Sequence, residues 1–146
     1  MMKQTRRAWL CLPALLLCCC DVSITLASQS QAFWAGAFNA AEEGNPLALV
    51  FLLLGPWVFV AATIVWALAF SAVILIGHRS LALALSFGLT IGHALGTAFW
   101  LPRHGLVGFA AAIIVLAAAR QILNWSWAKA DVRLDSVADA ASVGFL

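Results

Sequence analysis

Long apolar stretches with few polar interruptions make up most of the chain. A helix needs roughly 20 consecutive apolar residues to cross a bilayer about 30 Å thick. Several stretches of the sequence reach that length. The pattern therefore predicts an all-α integral membrane bundle of four transmembrane helices, at about residues 8–27, 56–76, 80–101 and 105–123.

Two proline-containing segments divide these stretches. The uncharged run at 47–77 is too long for one straight crossing, and Gly55-Pro56 lies inside it. Because proline lacks a backbone donor and clashes with the preceding turn, we expect a short interfacial or kinked helix at 47–54 before the span at 56–76. The segment Pro102–Gly105 predicts a tight turn, which makes the last two spans an antiparallel hairpin.

The composition agrees with a membrane protein and excludes two other classes. Apolar residues make up 64% of the chain and charged residues 10%, against roughly 45–50% and about 25% in soluble domains. So few charged side chains cannot cover a soluble core of this size, and disordered chains are rich in charge. The net charge is +2 without a basic stripe, so we expect the lipid bilayer as a partner and no nucleic acid.

The distribution of Lys and Arg predicts the orientation in a bacterial inner membrane. Basic residues favour the cytoplasmic side of short connecting segments. With a cytoplasmic N-terminus, only Arg103 faces outward and the loop at 28–45 is external. Both termini are then cytoplasmic, with a single transmembrane domain at 1–123 and a cytoplasmic tail at 124–146. The inner basic residues are Lys3, Arg6, Arg7, Arg79, Arg120, Lys129 and Arg133.

The first apolar stretch has a second interpretation. A basic start, an apolar segment and small residues such as Thr25 and Ala27 are also typical of a cleaved secretory signal peptide. The segment is long enough to span a membrane as well. A retained segment gives four spans, and a cleaved one leaves three.

Asp21 is an acidic residue inside the first predicted span. A carboxylate within a membrane is costly and usually faces a protein partner, a cavity or a functional pathway. Thr25 follows one helical turn later and shares the same face. If the helix is shifted or cleaved, Asp21 is instead a residue near the membrane edge. We take Asp21 and Thr25 as members of a candidate polar intramembrane site.

His93 is the corresponding polar residue in the third span and the third member of that candidate site. It shares a small, polar helix face with Ser86, Thr90 and Thr97. Such a face belongs against protein and not against lipid. Asp21 and His93 lie at similar depths, so a hydrogen bond between them would satisfy both side chains. The alternative is that this pair serves only in helix packing.

Three glycines surround His93 at the spacing Gly-x3-Gly-x3-Gly. This pattern removes side chains from one helix face and lets another backbone approach closely. Gly88, Gly92 and Gly96 are therefore predicted as helix-packing positions.

The external loop ends in the sequence Glu42-Glu43-Gly44-Asn45-Pro46. Asn45 is a good N-cap, and proline fits the first position of a helix, where no backbone donor is needed. The segment therefore predicts a helix start. A functional interpretation places Glu42 or Glu43, together with Asn45, at the outer mouth of a polar cavity lined by Asp21 and His93, with His104 as a further candidate.

The sequence contains no strong enzyme or metal signature. A Gly-x-Ser-x-Gly elbow, a Walker loop and a second carboxylate within a span are all absent. Paired metal-ligand spacings are also absent, so we assign no catalytic residue, metal site or cofactor. We interpret the four cysteines of the first span as small apolar residues: Cys11, Cys18, Cys19 and Cys20.

Two short motifs carry a family resemblance. Asp21-x3-Thr25 in the first span and Glu43-x-Asn45-Pro46 at the start of the second resemble a bacterial family of small polytopic membrane proteins classed as a domain of unknown function. The resemblance covers about the first half of the chain. It implies that these five residues act together, without naming a reaction.

We therefore expect a small multi-pass inner-membrane protein with a non-enzymatic interaction or accessory role. Its partner would be a second copy of the chain or another membrane protein. The alternative is a small transporter or proton-linked module that uses Asp21 and His93 as a polar pair. A membrane-embedded enzyme is the third hypothesis.

Overall fold

A computed structural model of the chain describes residues 4–130, and this part is all-helical without a strand. The predictions for Lys3, for Arg133 and for the cytoplasmic tail after residue 130 lie outside the described residues. The helices are α1 (Gln4–Ala27), α2 (Gln31–Trp34), α3 (Pro46–Leu53), α4 (Pro56–Ile76), α5 (Arg79–Trp100) and α6 (Gly105–Lys129). Short 3-10 turns occupy Phe38–Ala40 and Leu101–His104.

Three segments are long and apolar enough to cross a membrane: Arg6–Ala27, Pro56–Ile76 and Arg79–Lys129. The third segment contains α5, the turn at Leu101–His104 and α6. The predicted all-α class is therefore confirmed, and its apolar helices are compatible with a membrane location.

The break that the sequence predicts within the run at 47–77 is present. Helix α3 ends at Leu53 and α4 begins at Pro56, with Gly55 between them at a φ of 115°. This left-handed conformation is one that glycine adopts without a steric cost. The helix is interrupted here because glycine adopts this conformation and proline starts the next helix.

Helix α6 is longer than the sequence predicts. It continues past residue 123 to Lys129, because its last turns pack against the beginning of α1. The hydroxyl of Ser126 donates to the carbonyl oxygen of Trp9, and the Trp9 and Trp125 rings meet edge to face at 5.1 Å. Residues 124–129, predicted as part of the tail, therefore belong to the bundle.

Helix α1 occupies the centre of the bundle. It packs against α4, α5 and α6. In its most apolar stretch 39% is buried within the protein, compared with 11% in the corresponding stretch of α4. It runs parallel to α5, since the Ser86 hydroxyl donates to the Leu10 carbonyl at 2.7 Å while Asp21 contacts His93 further along both helices. Helix α6 runs antiparallel to α5, and Trp127 donates its indole N–H to Ser86 at 3.3 Å.

The predicted small, polar face of α5 faces protein, as expected. Ser86 and Thr90 are fully buried and Thr97 is 3% exposed. Small side chains here allow α1 and α6 to approach α5 closely, and the hydroxyl groups donate to carbonyl oxygens of α1 and of α5 itself.

Different contacts and segments lie at the two ends of the bundle. At one end, the Arg7 guanidinium donates from Nη1 to the carbonyl oxygens of Leu75 at 3.1 Å and Gly77 at 2.6 Å. Carbonyl groups in the last turn of a helix have no partner within the helix, so Arg7 satisfies two acceptors where α4 ends. At the other end, which we call the loop end, residues 28–45 connect α1 to α3.

Candidate functional site

A cavity of about 980 Å³ lies at the loop end of the bundle. Residues of α1 and α5 line one part of it, which we call the floor, and residues of α4, of α3 and of the segment before α3 line the rest. It exists because α4 packs loosely against α5, whereas α1 packs closely against α5. The walls are mainly apolar and aromatic, and the few polar side chains come from α1, α4, α5 and the segment before α3.

Asp21 and His93 form a polar pair on the floor of this cavity. The Oδ2 of Asp21 lies 2.9 Å from Nδ1 of His93, and their side chains are 22% and 21% exposed. The hydrogen bond expected from their similar depths is therefore present in the structure. It joins the two most closely packed helices, and both side chains also line the cavity.

Gly96 makes room for this pair. A Cβ atom added at Gly96 would lie 2.6 Å from Oδ1 of Asp21, which is far shorter than a normal contact between these atoms. The glycine therefore lets the Asp21 carboxylate lie directly against the α5 backbone. This position agrees with the predicted packing role.

Gly88 and Gly92 differ from the packing prediction. A Cβ added at either position would meet no atom within 4 Å, and both glycines line the cavity. The close approach of another helix that the pattern predicts is therefore not present at these two positions. These two glycines enlarge the cavity instead.

The two sequence motifs meet at the same cavity. Thr25 from α1 and Glu43 and Asn45 from the segment before α3 all line it, together with Asp21. Glu43 accepts a hydrogen bond from the Asn45 backbone N–H at 2.8 Å. Asn45 in turn caps α3, since its side chain accepts from the Leu47 N–H at 3.0 Å, as the sequence predicts.

Glu42 takes a different position from its neighbour. Its carboxylate accepts a hydrogen bond from Arg103 at 2.8 Å and does not line the cavity. Both members of this ion pair are about half exposed, so it adds little stability. Of the two carboxylates predicted at the mouth, the structure thus brings only Glu43 to the site.

Gln29 is a structural residue of the site that sequence reasoning missed. It is 7% exposed, and its amide Nε2 donates to the carbonyl oxygens of Thr25 at 3.0 Å and Glu42 at 2.8 Å. Its Oε1 accepts from the Glu42 N–H at 2.9 Å. These bonds attach the loop to the end of α1 and so position Glu43. No local pattern identifies a glutamine whose partner lies in a distant part of a loop.

His93 also borders a second, much smaller cavity. This space of about 20 Å³ lies between α1 and α4, and Cys18 and Ser71 contribute to its lining. A volume of this size holds about one water molecule. His93 therefore lies between the large cavity and a small, mainly apolar cavity nearer the Arg7 end.

The polar groups of the site are few and lie in an apolar surrounding. A carboxylate and imidazole pair, a second carboxylate and the hydroxyl groups of Thr25 and Thr63 line an otherwise apolar space. Within residues 4–130, no group of three His, Cys, Asp or Glu side chains is arranged to hold a metal ion. The site can therefore accept hydrogen bonds and balance a positive charge.

Comparisons with protein-family models, with curated proteins and with solved structures found no match for this chain. The family resemblance of the two motifs accordingly rests on the residues themselves.

Proposed function

We propose that the chain is a multi-pass inner-membrane protein with a non-enzymatic, accessory role, and that it performs this role by binding a small amphipathic molecule. The observation that carries the proposal is the cavity of about 980 Å³ with apolar walls and the Asp21–His93 pair on its floor. Binding sites for small molecules typically combine a large apolar surface with a few convergent polar groups. The meeting of the Asp21-x3-Thr25 and Glu43-x-Asn45 motifs supports the idea that they act together.

Binding of a neutral amphipathic probe tests this proposal. We expect N-phenyl-1-naphthylamine to bind saturably to the protein in phosphatidylcholine nanodiscs, with energy transfer from Trp66, which lines the cavity. The Gly92→Leu variant should lose this saturable component, because the new side chain would occupy open space in the cavity.

A matched variant controls for changes that do not involve the cavity. Ala117→Leu places the same side chain on an exposed position of α6, which contributes no lining residue, and should bind as the wild type does. Equal binding by Gly92→Leu and the wild type would contradict the proposal, as would an absence of saturable binding beyond empty nanodiscs.

The proposed topology has four membrane crossings and two cytoplasmic termini. Its support is that Arg7, Arg79 and Lys129 all lie at the end of the bundle opposite the loop, whereas Arg103 lies at the loop end. With the native cysteines replaced by alanine, Glu43→Cys should react with a membrane-impermeant maleimide in intact spheroplasts. A fluorescent protein fused after Leu146 should fluoresce. Labelling only after lysis would contradict this orientation.

We also propose that the N-terminal segment is retained. The support is the central position of α1, which carries Asp21 and packs against three other helices. Removing it would take away the floor of the cavity. N-terminal sequencing of the mature protein should therefore find residues before Asp21, and a mature chain that starts after Ala27 would contradict retention.

A proton-linked transport module is the second candidate function. The observation that favours it is the position of His93, which pairs with Asp21 and borders both the large cavity and the small second cavity. Polar pairs of this kind within membranes are typical of proton pathways. This hypothesis gives the same residues a role in movement of protons and not only in binding.

Proton flux separates the two candidates. In proteoliposomes with a trapped pH-sensitive dye, the transport hypothesis predicts that the wild type conducts protons above the rate of protein-free liposomes. Asp21→Asn should abolish the difference, while Ala117→Leu should preserve it. A wild-type flux equal to that of empty liposomes, or an unchanged flux in Asp21→Asn, would contradict transport.

A further inference from the structure

We propose that the cavity selects a lipophilic cation, that is, an apolar body that carries a single positive charge. This inference rests on the proposed function, since it names the class of amphipathic molecule that the cavity binds. It follows from the charge of the lining, from the aromatic side chains around it and from the volume of the space.

The ionisable side chains that line the cavity sum to a negative charge. Among residues 4–130 these are Asp21, Glu43 and His93, and no Lys or Arg lines the space. With a neutral imidazole the two carboxylates give a charge of about −2, and with a protonated imidazole about −1. The cavity is negative in either state, so a cationic group gains favourable electrostatic energy there and an anion is repelled.

The two carboxylates lie in different parts of the site. Asp21 is on the floor, where His93 already contacts one of its oxygens. Glu43 belongs to the segment before α3, and its carboxylate accepts a hydrogen bond from the backbone N–H of Asn45 in the same segment. Among the hydrogen bonds of the described residues, none joins Glu43 to a basic side chain. Glu42, in contrast, pairs with Arg103.

Aromatic rings supply the second part of the argument. The face of an aromatic ring attracts a cation, and cages of such rings recognise quaternary ammonium groups. Among residues 4–130, a cation–π contact lies beside the cavity, where the Arg103 guanidinium is 4.3 Å from the centre of the Trp100 ring. The aromatic residues that line the cavity are Phe51, Phe59, Trp66, Phe99 and Trp100.

The volume and the lining set the size and polarity of the apolar body. A space of about 980 Å³ accommodates a molecule with several rings or a folded alkyl chain. Its walls on α3 and α4 offer apolar side chains such as Leu47, Ala48 and Val65. A small hydrated cation would gain nothing from these walls, so the ligand class combines charge with a large apolar surface.

Two probes of equal shape and opposite charge test the proposal. Tetraphenylphosphonium and tetraphenylborate are titrated into the full-length protein in phosphatidylcholine nanodiscs, with empty nanodiscs as the reference. We expect tetraphenylphosphonium to bind saturably and to displace N-phenyl-1-naphthylamine from the wild type. Tetraphenylborate should displace it at least about tenfold more weakly, a difference that corresponds to about 1.4 kcal/mol.

Adjacent carboxylates provide a matched pair of variants. Glu43→Gln should weaken tetraphenylphosphonium binding about tenfold and leave binding of the neutral probe within about twofold, because only the charge of the lining changes. Glu42→Gln removes a carboxylate one residue away that does not line the cavity and should leave both affinities within about twofold. A merely structural effect of Glu43→Gln would weaken both probes together.

The outcomes distinguish this inference from the proposed function. If the neutral probe binds in a manner sensitive to Gly92→Leu but the two charged probes compete equally, the cavity binds amphipathic molecules and the preference for cations is wrong. Equal effects of Glu43→Gln and Glu42→Gln on tetraphenylphosphonium would also overturn it. If no probe binds saturably to the wild type, both the inference and the proposed function are wrong.

Discussion

Gly96→Leu is expected to lower the free energy of unfolding by about 2 kcal/mol relative to Gly92→Leu, although both substitutions add the same side chain to α5. The first carbon added at Gly96 would lie 2.6 Å from Oδ1 of Asp21, whereas at Gly92 it would meet no atom within 4 Å. The Asp21 carboxylate must therefore move in the Gly96 variant and lose its hydrogen bond with His93.

The comparison removes effects that the two variants share. Replacing glycine by leucine in a helix favours the helix by up to about 1 kcal/mol at either position. Overpacking a well-packed contact costs about 1–3 kcal/mol, and this cost arises only at Gly96. Gly92→Leu should consequently remain within about 1 kcal/mol of the wild type.

Equilibrium unfolding in mixed micelles of dodecyl maltoside and sodium dodecyl sulfate, followed by tryptophan fluorescence, measures this difference. Gly88→Leu serves as a second control, since an added Cβ there also meets open space. If all three variants unfolded at the same fraction of denaturing detergent, this result would contradict the close approach of Asp21 to the α5 backbone at Gly96.

The parts of the fold that depend on local chemistry could be predicted from the sequence. The break at Gly55 follows from the properties of glycine and proline, and the Asn45 cap follows from its short polar side chain. The buried face of Ser86, Thr90 and Thr97 follows from their spacing on one helix. The Asp21–His93 contact could also be anticipated, because two polar side chains at one depth in a membrane have few other partners.

Other features depend on how far apart the helices lie, which local patterns do not determine. The Gly-x3-Gly-x3-Gly pattern identifies a face that permits close packing, but only the neighbouring helix decides whether the contact forms. Asp21 fills that role at Gly96, while Gly88 and Gly92 border the cavity that α4 leaves open. Likewise, the sequence does not distinguish Glu42 from Glu43, because their separation depends on Gln29 and Arg103.

The second large effect concerns the polar pair itself. Asp21→Ala and His93→Ala are each expected to lower the free energy of unfolding by about 1–3 kcal/mol, because each leaves a partly buried polar partner without its hydrogen bond. Part of each loss also comes from packing, particularly for His93. The single variants therefore do not isolate the contact between the two side chains.

A double-mutant cycle of Asp21→Ala and His93→Ala tests the central claim most directly, namely that these side chains form one polar pair on the cavity floor. The 2.9 Å contact predicts that the double variant is less destabilised than the sum of the single variants by about 1 kcal/mol. Asp21→Ala combined with Thr63→Ala should be additive, because Thr63 lines the cavity from α4 and its hydroxyl donates to the Phe59 carbonyl of its own helix. A coupling between Asp21 and His93 no larger than that of this control pair would contradict the claim.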